Sequence, residues 1–231
     1  KLNNWVGWGV FLIAAITYLL TIEPNFSFWD CGEYISSAVK LEVTHSPGAV
    51  FFQILGAVWA LLAFGDGTKY SYVINAMSGI MSAFAILFLF WTITHLARKV
   101  MFTETEPEEY TGYQKIMIIL SGAVGALTFT FTDTFWFSAV EGEVYAAASC
   151  FTALMLWLIC KWENDVDNPR SNKWLVLISL LIGLSVGVHL MAILVVPTLG
   201  YIYYTKKYKF TWKNFIIANL VIGGIFVFVF K

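Results

Sequence analysis

Apolar runs of membrane-spanning length dominate the chain, and short polar loops separate them. A run of about 20 apolar residues is long enough to cross the hydrocarbon core of a bilayer as one helix. Such runs occupy residues 5–22, 70–97, 116–132, 143–160, 174–204 and 214–230. The run 174–204 is too long for one untilted span, so we predict two helices, 174–187 and 190–204, that turn near His189.

The segment between the first two spans predicts two further helices. Residues 30–43 have one apolar side but are too short and too polar to cross, so we expect a helix in the membrane interface. Residues 47–64 are apolar and long enough to span. The pattern alone leaves two interpretations open for them: a crossing helix, or a juxtamembrane helix that stays on one side.

The charge of the loops decides between these interpretations. Loops on the cytoplasmic side carry an excess of Lys and Arg. Three loops of this chain are basic: Arg98, Lys99 and Lys115; Lys161, Arg170 and Lys173; Lys206, Lys207, Lys209 and Lys213. The loops 23–46 and 133–142 instead hold several acids and a single Lys, so we place them outside.

Both assignments hold only if residues 47–64 do not cross the membrane. The sequence therefore predicts an all-α integral membrane protein, a helical bundle with about seven transmembrane helices and an inner amino terminus. The helices 30–43 and 47–64 would be juxtamembrane helices of the first outer loop. We expect residues 1–231 to form a single transmembrane module.

Composition agrees with a membrane protein and excludes some partners. Of the 231 residues, 59% are hydrophobic and 13% are charged, whereas soluble domains carry roughly 25% charge. The net charge of −1 gives no field that would attract nucleic acid, so we expect no nucleic-acid partner. The three cysteines are scattered and predict no disulfide framework. Because the chain begins without Met and stops just after an apolar run, we expect it to be the amino-terminal part of something longer.

The loop after the first span carries the first candidate site. Asp30 and Glu33 lie one helical turn apart, Trp29 and Tyr34 flank them, and His45 follows in the same loop. One interpretation is a capping box, with Asp30 as N-cap and Glu33 three residues later. The other is a substrate site, because carboxylates in a partly dry setting are costly unless they are used or paired. Both hold together if Glu33 fixes the loop and Asp30 reaches the substrate.

A second acidic pair, Glu141 and Glu143, opens a later span. Acids at the amino end of a helix can simply favour the positive end of its dipole. They can also bind a metal or a substrate, with Gly142 allowing the backbone to approach closely. A site made only of carboxylates suits Mg²⁺ or Mn²⁺.

Two histidines are further candidates. His189 interrupts an apolar run, where an unpaired polar group costs about 1–3 kcal/mol. At a turn between two half-helices, it would instead face an outer cavity and contact a substrate. His45 precedes Ser46-Pro47-Gly48, a pattern that is more often structural when taken alone.

These motifs resemble those of the GT-C glycosyltransferases, multi-span enzymes that use lipid-linked sugars. Asp30 stands where that family has its first key acid, and Glu141-Gly-Glu143 resembles its second acidic motif. His45-Ser-Pro-Gly48 and Gly183-Leu-Ser-Val-Gly-Val-His189 resemble segments of the branch that includes protein O-mannosyltransferases. Two positions depart from that branch: Ser46 replaces a usual Pro, and His189 replaces an expected Lys.

The chain is most similar to membrane O-mannosyltransferases of the transmembrane-protein-260 type and their large bacterial relatives. Phe28-Trp-Asp-Cys-Gly-Glu-Tyr34, the His45 motif and Val140-Glu-Gly-Glu-Val-Tyr145 carry this likeness. It covers most of the chain, from Trp5 to about Tyr204.

The resemblance implies transfer of a sugar, with mannose expected, from a polyprenyl phosphate to a Ser or Thr hydroxyl of a protein, with inversion. Asp30 would be the general base, and Glu33 would orient the loop. Glu141 and Glu143 would bind a divalent cation or the sugar hydroxyls. His189 and His45 would stabilise the leaving phosphate. Tyr34 and Trp29 are further expected contacts of the substrate.

The same resemblance implies a location and partners. We expect a bacterial inner membrane with the site facing the periplasm, or the lumen in a eukaryote. Membrane lipid, the lipid-linked sugar and an acceptor protein are the expected partners, with a larger membrane complex as a further one. Two other classes stay open: a transporter or flippase for a lipid-linked sugar, and a non-catalytic subunit of an envelope complex.

Overall fold

The computed structural model describes residues 1–102 and 109–229, and every regular element in these ranges is helical. The α-helices are α1 Leu2–Leu20, α2 Cys31–Lys40, α3 Val50–Ala60, α4 Tyr70–Met101, α5 Gly112–Thr130, α6 Asp133–Ala139, α7 Val144–Asn164, α8 Asn172–Val186, α9 Val195–Lys207 and α10 Trp212–Val229. Short 3₁₀ turns occupy Leu61–Ala63, Gly67–Lys69 and Leu190–Leu194. The predicted all-α class is confirmed.

Four helices of the described chain are long and apolar enough to cross a membrane. They are α1, α4 with its preceding turn, α5 and α7, whereas α3, α8 and α10 are apolar but shorter. The 11 residues of α3 extend about 17 Å at 1.5 Å per residue, well below the roughly 30 Å of a hydrocarbon core. This length favours the juxtamembrane interpretation of α3. The count of seven spans stays a prediction.

Helix α4 forms the centre of the bundle and packs against α1, α5 and α7. Its Phe90 is fully buried and lies against Gly7 of α1 and Gly122 of α5. A Cβ atom at Gly7 would come within 3.1 Å of the Phe90 ring. The two glycines therefore let α1 and α5 approach α4 closely, which fixes the ends of these helices relative to one another.

The bundle has two chemically different ends. One end consists of the loops 21–30 and 140–143 and the turn 187–189, and we call it the acidic end. The basic end is formed by residue 1, the ends of α4, α7 and α9, and the start of α5. At the acidic end, the backbone N–H of Glu23 donates to the carbonyl of Val140 at 3.1 Å, and the indole N–H of Trp136 donates to the Thr21 hydroxyl at 2.9 Å. The two distant acidic loops are thus joined directly.

Three local features refine the predicted elements. The expected loop 133–142 contains the short helix α6, because Phe135 is buried against Tyr18, with ring centroids 6.2 Å apart. Helix α3 begins at Val50, since Gly48 and Ala49 adopt left-handed backbone angles with φ of 96° and 35°. The break near His189 is present, because α8 ends at Val186 and a 3₁₀ turn follows.

Candidate active site

Asp30 lies at the surface of the acidic end, at the N-cap position of α2. Its side chain makes no capping hydrogen bond and is 54% exposed. The capping box that the spacing allowed is therefore absent. Trp29, immediately before it, has a left-handed φ of 64° and is 88% exposed. Non-glycine residues rarely adopt this conformation, and those that do cluster at functional sites.

Glu33 holds His45 instead of capping the helix. One carboxylate oxygen accepts the backbone N–H of His45 at 2.7 Å, and the other lies 3.0 Å from the His45 Nδ1 atom. The His45 Nε2 atom lies 3.9 Å from an oxygen of Asp30. The imidazole therefore bridges the two carboxylates, and the expectation that Glu33 fixes the loop agrees with this geometry.

The protonation of this pair follows from the same contacts. The hydrogen bond to Glu33, helped by the negative charges of Glu33 and Asp30, raises the pKa of His45. The hydrogen bonds from the His45 backbone and ring in turn lower the pKa of Glu33. The two groups therefore favour the ion pair, an ionised Glu33 beside a protonated His45, more than they would apart.

Glu141 and Glu143 form a buried layer beneath Asp30. Their residues are only 3% and 6% exposed. Glu141 accepts a short hydrogen bond from the Ser27 hydroxyl, which belongs to the loop after α1. Glu143 lies near both Glu141 and Asp30, whose charges act on it. Ser27 and Glu141, more than a hundred positions apart, therefore meet at this end of the bundle.

Burial dominates the electrostatics of this acidic pair. It raises the pKa of Glu141, against the hydrogen bond from Ser27, which lowers it. Burial, with smaller contributions from the charges of Glu141 and Asp30, raises the pKa of Glu143 to about 7. Glu143 can therefore hold or release a proton near neutral pH, a property common among groups that act in catalysis. Its position at the N-cap of α7 involves no side-chain capping bond.

Asn75 and Ser27 position the loop, and sequence reasoning missed both. Asn75 is fully buried, and its amide donates to the carbonyl oxygens of Glu23 and Asn25 at 2.7 and 2.8 Å. Its Oδ1 atom lies 2.8 Å from where a Cβ atom of Gly142 would be. An available signal was the burial cost of an amide inside the apolar run 70–97, the criterion that singled out His189. A serine in a polar loop such as Ser27 carries no comparable signal.

An aromatic ring lies beside each of the two candidate histidines. The His189 ring lies 5.4 Å from the ring of Tyr145, between centroids. The Tyr34 ring lies 6.0 Å from the His45 ring, between centroids. The charges of Asp30 and Glu143 act on the Tyr34 hydroxyl. Burial, with these charges, raises the pKa of Tyr34 to about 12, so its hydroxyl stays a neutral donor.

His189 also caps the turn that follows it. Its Nδ1 atom accepts the backbone N–H of Met191 at 3.1 Å, which places the ring proton on Nε2 when the imidazole is neutral. Burial lowers the pKa of His189, which favours that neutral form. Nε2 is therefore a hydrogen-bond donor. The structure thus gives His189 a capping role, and its contact with a substrate stays a prediction.

A divalent cation at Glu141 and Glu143 stays a prediction, and a different group of side chains has the spacing of metal ligands. Ligand atoms of Asp30, Glu33 and His45 lie within 4.8 Å of one another. In the described part of the chain, these three residues form the group that could hold a metal ion. Glu141 and Glu143, which the sequence suggested as metal ligands, do not belong to it. The neutralising hydrogen bond between Glu33 and His45 accounts for the closeness of this group without an ion.

Fold and site together define a helical membrane protein with a cluster of carboxylates at one end of its bundle. The sequence model described as "Protein O-mannosyl-transferase TMEM260 N-terminal domain" matches residues 30–212. The chain belongs to this family, as the motifs around Asp30, His45 and Glu141 indicated. The match includes every candidate site residue except Trp29, which directly precedes it.

Two curated relatives agree with this assignment. The chain is 25% identical over 224 residues to a protein of Dictyostelium discoideum named "Protein O-mannosyl-transferase tmem260", covering 92% of this chain and 25% of that protein. It is 26% identical over 165 residues to "Protein O-mannosyl-transferase TMEM260" of Mus musculus, covering 71% of this chain and 20% of that protein. The chain thus spans about a quarter or less of the length of these relatives. No solved structure matches it.

Proposed function

We propose that this chain carries the catalytic site of a protein O-mannosyltransferase that uses a polyprenyl-phosphate sugar. The reaction would move mannose to a Ser or Thr hydroxyl of an acceptor protein on the non-cytoplasmic side. The names of the two relatives support mannose and a protein acceptor. The observation that carries the proposal is the exposed Asp30 carboxylate above the buried pair Glu141 and Glu143.

Asp30 is the general base in this proposal. Its exposed carboxylate accepts the proton of the acceptor hydroxyl as the hydroxyl oxygen attacks the anomeric carbon. The new bond between oxygen and carbon forms while the bond from that carbon to the phosphate oxygen breaks, and the lipid phosphate leaves with the electron pair. A single displacement of this kind inverts the anomeric configuration.

His45 and Glu33 set the charge around that base. His45 lies 3.9 Å from Asp30 and is held by Glu33 on its other side. A cationic imidazole at this distance would attract the Asp30 carboxylate and help to fix its position. Alternatively, the same three groups bind a divalent cation, which would displace the proton from His45.

The buried acids and His189 complete the site. Glu141 and Glu143 are proposed to accept hydrogen bonds from the sugar hydroxyls, in a setting dry enough to make each bond strong. The Nε2–H of His189 is proposed to donate to the leaving phosphate. Trp29 and Tyr34 border the opening and would contact the sugar or the acceptor.

The orientation in the membrane follows from charge. The basic end carries Arg98, Lys161, Lys206 and their neighbours, and such loops stay in the cytoplasm. The acidic end would then face the opposite compartment, the periplasm of a bacterium or the lumen of a eukaryotic organelle. The polyprenyl chain would remain in the bilayer while its sugar phosphate reaches the pocket at the surface.

A transfer assay tests the proposal. Membranes containing the full protein are incubated with radiolabelled polyprenyl-phosphate mannose and peptides rich in Ser and Thr. We expect label on peptide hydroxyls, with an anomeric configuration opposite to that of the donor. Label that crosses the bilayer but never reaches the peptide would favour a flippase. The absence of both transfer and crossing would favour a non-catalytic subunit.

A further inference from the structure

A cavity lies at the basic end of the bundle. Its volume is about 650 Å³, and helices α1, α4, α5 and α7 form its walls. On α4, Asn75 of the acidic site and His95 of this cavity are 20 residues apart, which corresponds to about 30 Å along a helix. This distance equals the thickness of a hydrocarbon core. The cavity therefore opens near the other membrane surface and is separate from the candidate active site.

The polar lining of this cavity is cationic. It includes Lys1, Arg98, Lys115 and Lys161, and no described residue among its walls carries a carboxylate. Glu163, an acid at this end within the described chain, already binds His95 at 3.1 Å, Lys206 at 3.2 Å and also Lys99. Among the described residues, the Arg98 guanidinium contacts His95 at 3.4 Å and Asn164 at 3.5 Å, and neither of these is an acid. The cavity thus presents positive charge that attracts an anion.

The other walls of the cavity are apolar and aromatic. The rings of Trp91 and Trp157 stack there with centroids 5.1 Å apart, and Ile118 and Ile119 of α5 lie nearby. A smaller cavity that shares Lys1 with the first one continues along α1 past Trp5 and Trp8. Trp5 is 76% exposed. In this arrangement, cationic side chains are followed by aromatic rings. A ligand with an anionic head and a long apolar tail fits it.

We propose that this cavity binds the phosphate headgroup of an anionic phospholipid from the cytoplasmic leaflet. The phosphate would lie among Arg98, Lys115 and Lys161, and the acyl chains would run along α1. Such a lipid is present wherever the protein is, and anionic lipids concentrate on the cytoplasmic side of many membranes. The bound lipid would join α1, α4, α5 and α7 at the end that the catalytic carboxylates do not touch.

The test is lipid binding to the purified full protein in a neutral detergent. Native mass spectrometry and thermal unfolding are compared for phosphatidylglycerol, phosphatidylcholine and inorganic phosphate. We expect retained phosphatidylglycerol and a raised Tm, with neither effect from phosphatidylcholine or from inorganic phosphate. An equal effect of inorganic phosphate would overturn the lipid assignment, and equal retention of phosphatidylcholine would overturn the charge argument.

A charge-matched pair of variants locates the site. The double variant Lys115→Gln with Lys161→Gln removes two exposed cations of the cavity. The control, Lys209→Gln with Lys213→Gln, removes two exposed cations of the same end outside it. We expect about a 30-fold loss of phosphatidylglycerol affinity in the first and little change in the second. Equal losses in both would mean diffuse attraction to the basic end and would overturn the site.

Discussion

At the residue scale, the candidate site depends on how one histidine is shared between two acids. Glu33 binds both the backbone N–H and the ring Nδ1 atom of His45. The other ring nitrogen, Nε2, faces Asp30. The sequence placed these three residues in one loop, with Glu33 expected to fix the loop and Asp30 expected to reach the substrate. The structure assigns the structural task to Glu33 and leaves Asp30 open to solvent.

Glu33→Gln should therefore lower the pKa of His45 toward its ordinary value, because the neutral amide no longer stabilises the imidazolium. Where transfer needs the His45 cation, the pH above which activity falls should move to a lower value. The rate of His45 modification by diethyl pyrocarbonate, followed against pH, measures the shift. Glu42→Gln, which changes an exposed acid near the same loop, is the control and should leave the titration unchanged.

Glu143 gives a second prediction, concerning stability. Because burial raises its pKa from 4.5 to about 7, the folded protein binds more protons than the unfolded chain between these values. Stability should therefore fall as pH rises through this window. Glu143→Gln should flatten that part of the curve of Tm against pH, whereas the exposed Glu109→Gln should not. An unchanged slope in Glu143→Gln would contradict the buried position of the carboxylate.

The residues that sequence reasoning missed show the limit of reading polar residues one at a time. Charged groups such as Asp30 and Glu141 stand out in an apolar chain, since each is costly unless used. Asn75 carries no charge, and its role depends on two carbonyl oxygens of a loop 50 positions away. Ser27 depends likewise on Glu141 across 114 positions. Only the tertiary fold reveals these pairings.

At the scale of elements, the loop 140–143 is held where α4 and α2 meet it. The hydrophobic pattern predicted most helices well, because apolar runs and basic loops mark their ends. It did not predict α6, whose seven residues are too few for a periodicity to be read. It also started α3 too early, because the left-handed turn at Gly48 and Ala49 was not foreseen.

Gly142→Ala tests the packing of this loop. The added Cβ would lie 2.8 Å from Asn75 Oδ1 and 3.1 Å from Ile35, so one of these buried groups must move. Overpacking of this kind costs about 1–3 kcal/mol, and transfer should fall with it because Glu141 and Glu143 flank the glycine. Thermal unfolding measures the first effect and the transfer assay the second. Gly9→Ala, where the space is open, is the matched control and should retain both wild-type stability and wild-type activity.

At the scale of the whole molecule, the chain separates an acidic and a basic end by the thickness of a membrane. The sequence predicted this separation from loop charge, and the helices of the structure bring each set of loops to its own end. The family match over residues 30–212 agrees with the motifs that suggested it. The number of crossings depends on how α8, α9 and α10 sit in lipid, which length and composition alone do not decide.

Single-cysteine labelling tests the orientation. Val43→Cys places a thiol at the exposed acidic end, and Lys209→Cys places one at the exposed basic end. The native Cys31 and Cys160 are buried and Cys150 is partly buried, so they should contribute little label. A membrane-impermeant maleimide applied from the non-cytoplasmic side should label residue 43 and spare residue 209. The reverse pattern would contradict the orientation and place the carboxylates in the cytoplasm.

The most direct test of the account is the transfer rate of Asp30→Asn in the full protein. Loss of a general base should reduce the rate by about 10² to 10⁴, with thermal stability near that of the wild type, because the Asp30 side chain is exposed and makes no capping bond. Asp133→Asn, an exposed acid of the same end outside the site, should transfer mannose at nearly the wild-type rate. Full activity in Asp30→Asn, or an equal loss in both variants, would contradict the assignment of Asp30 as the base.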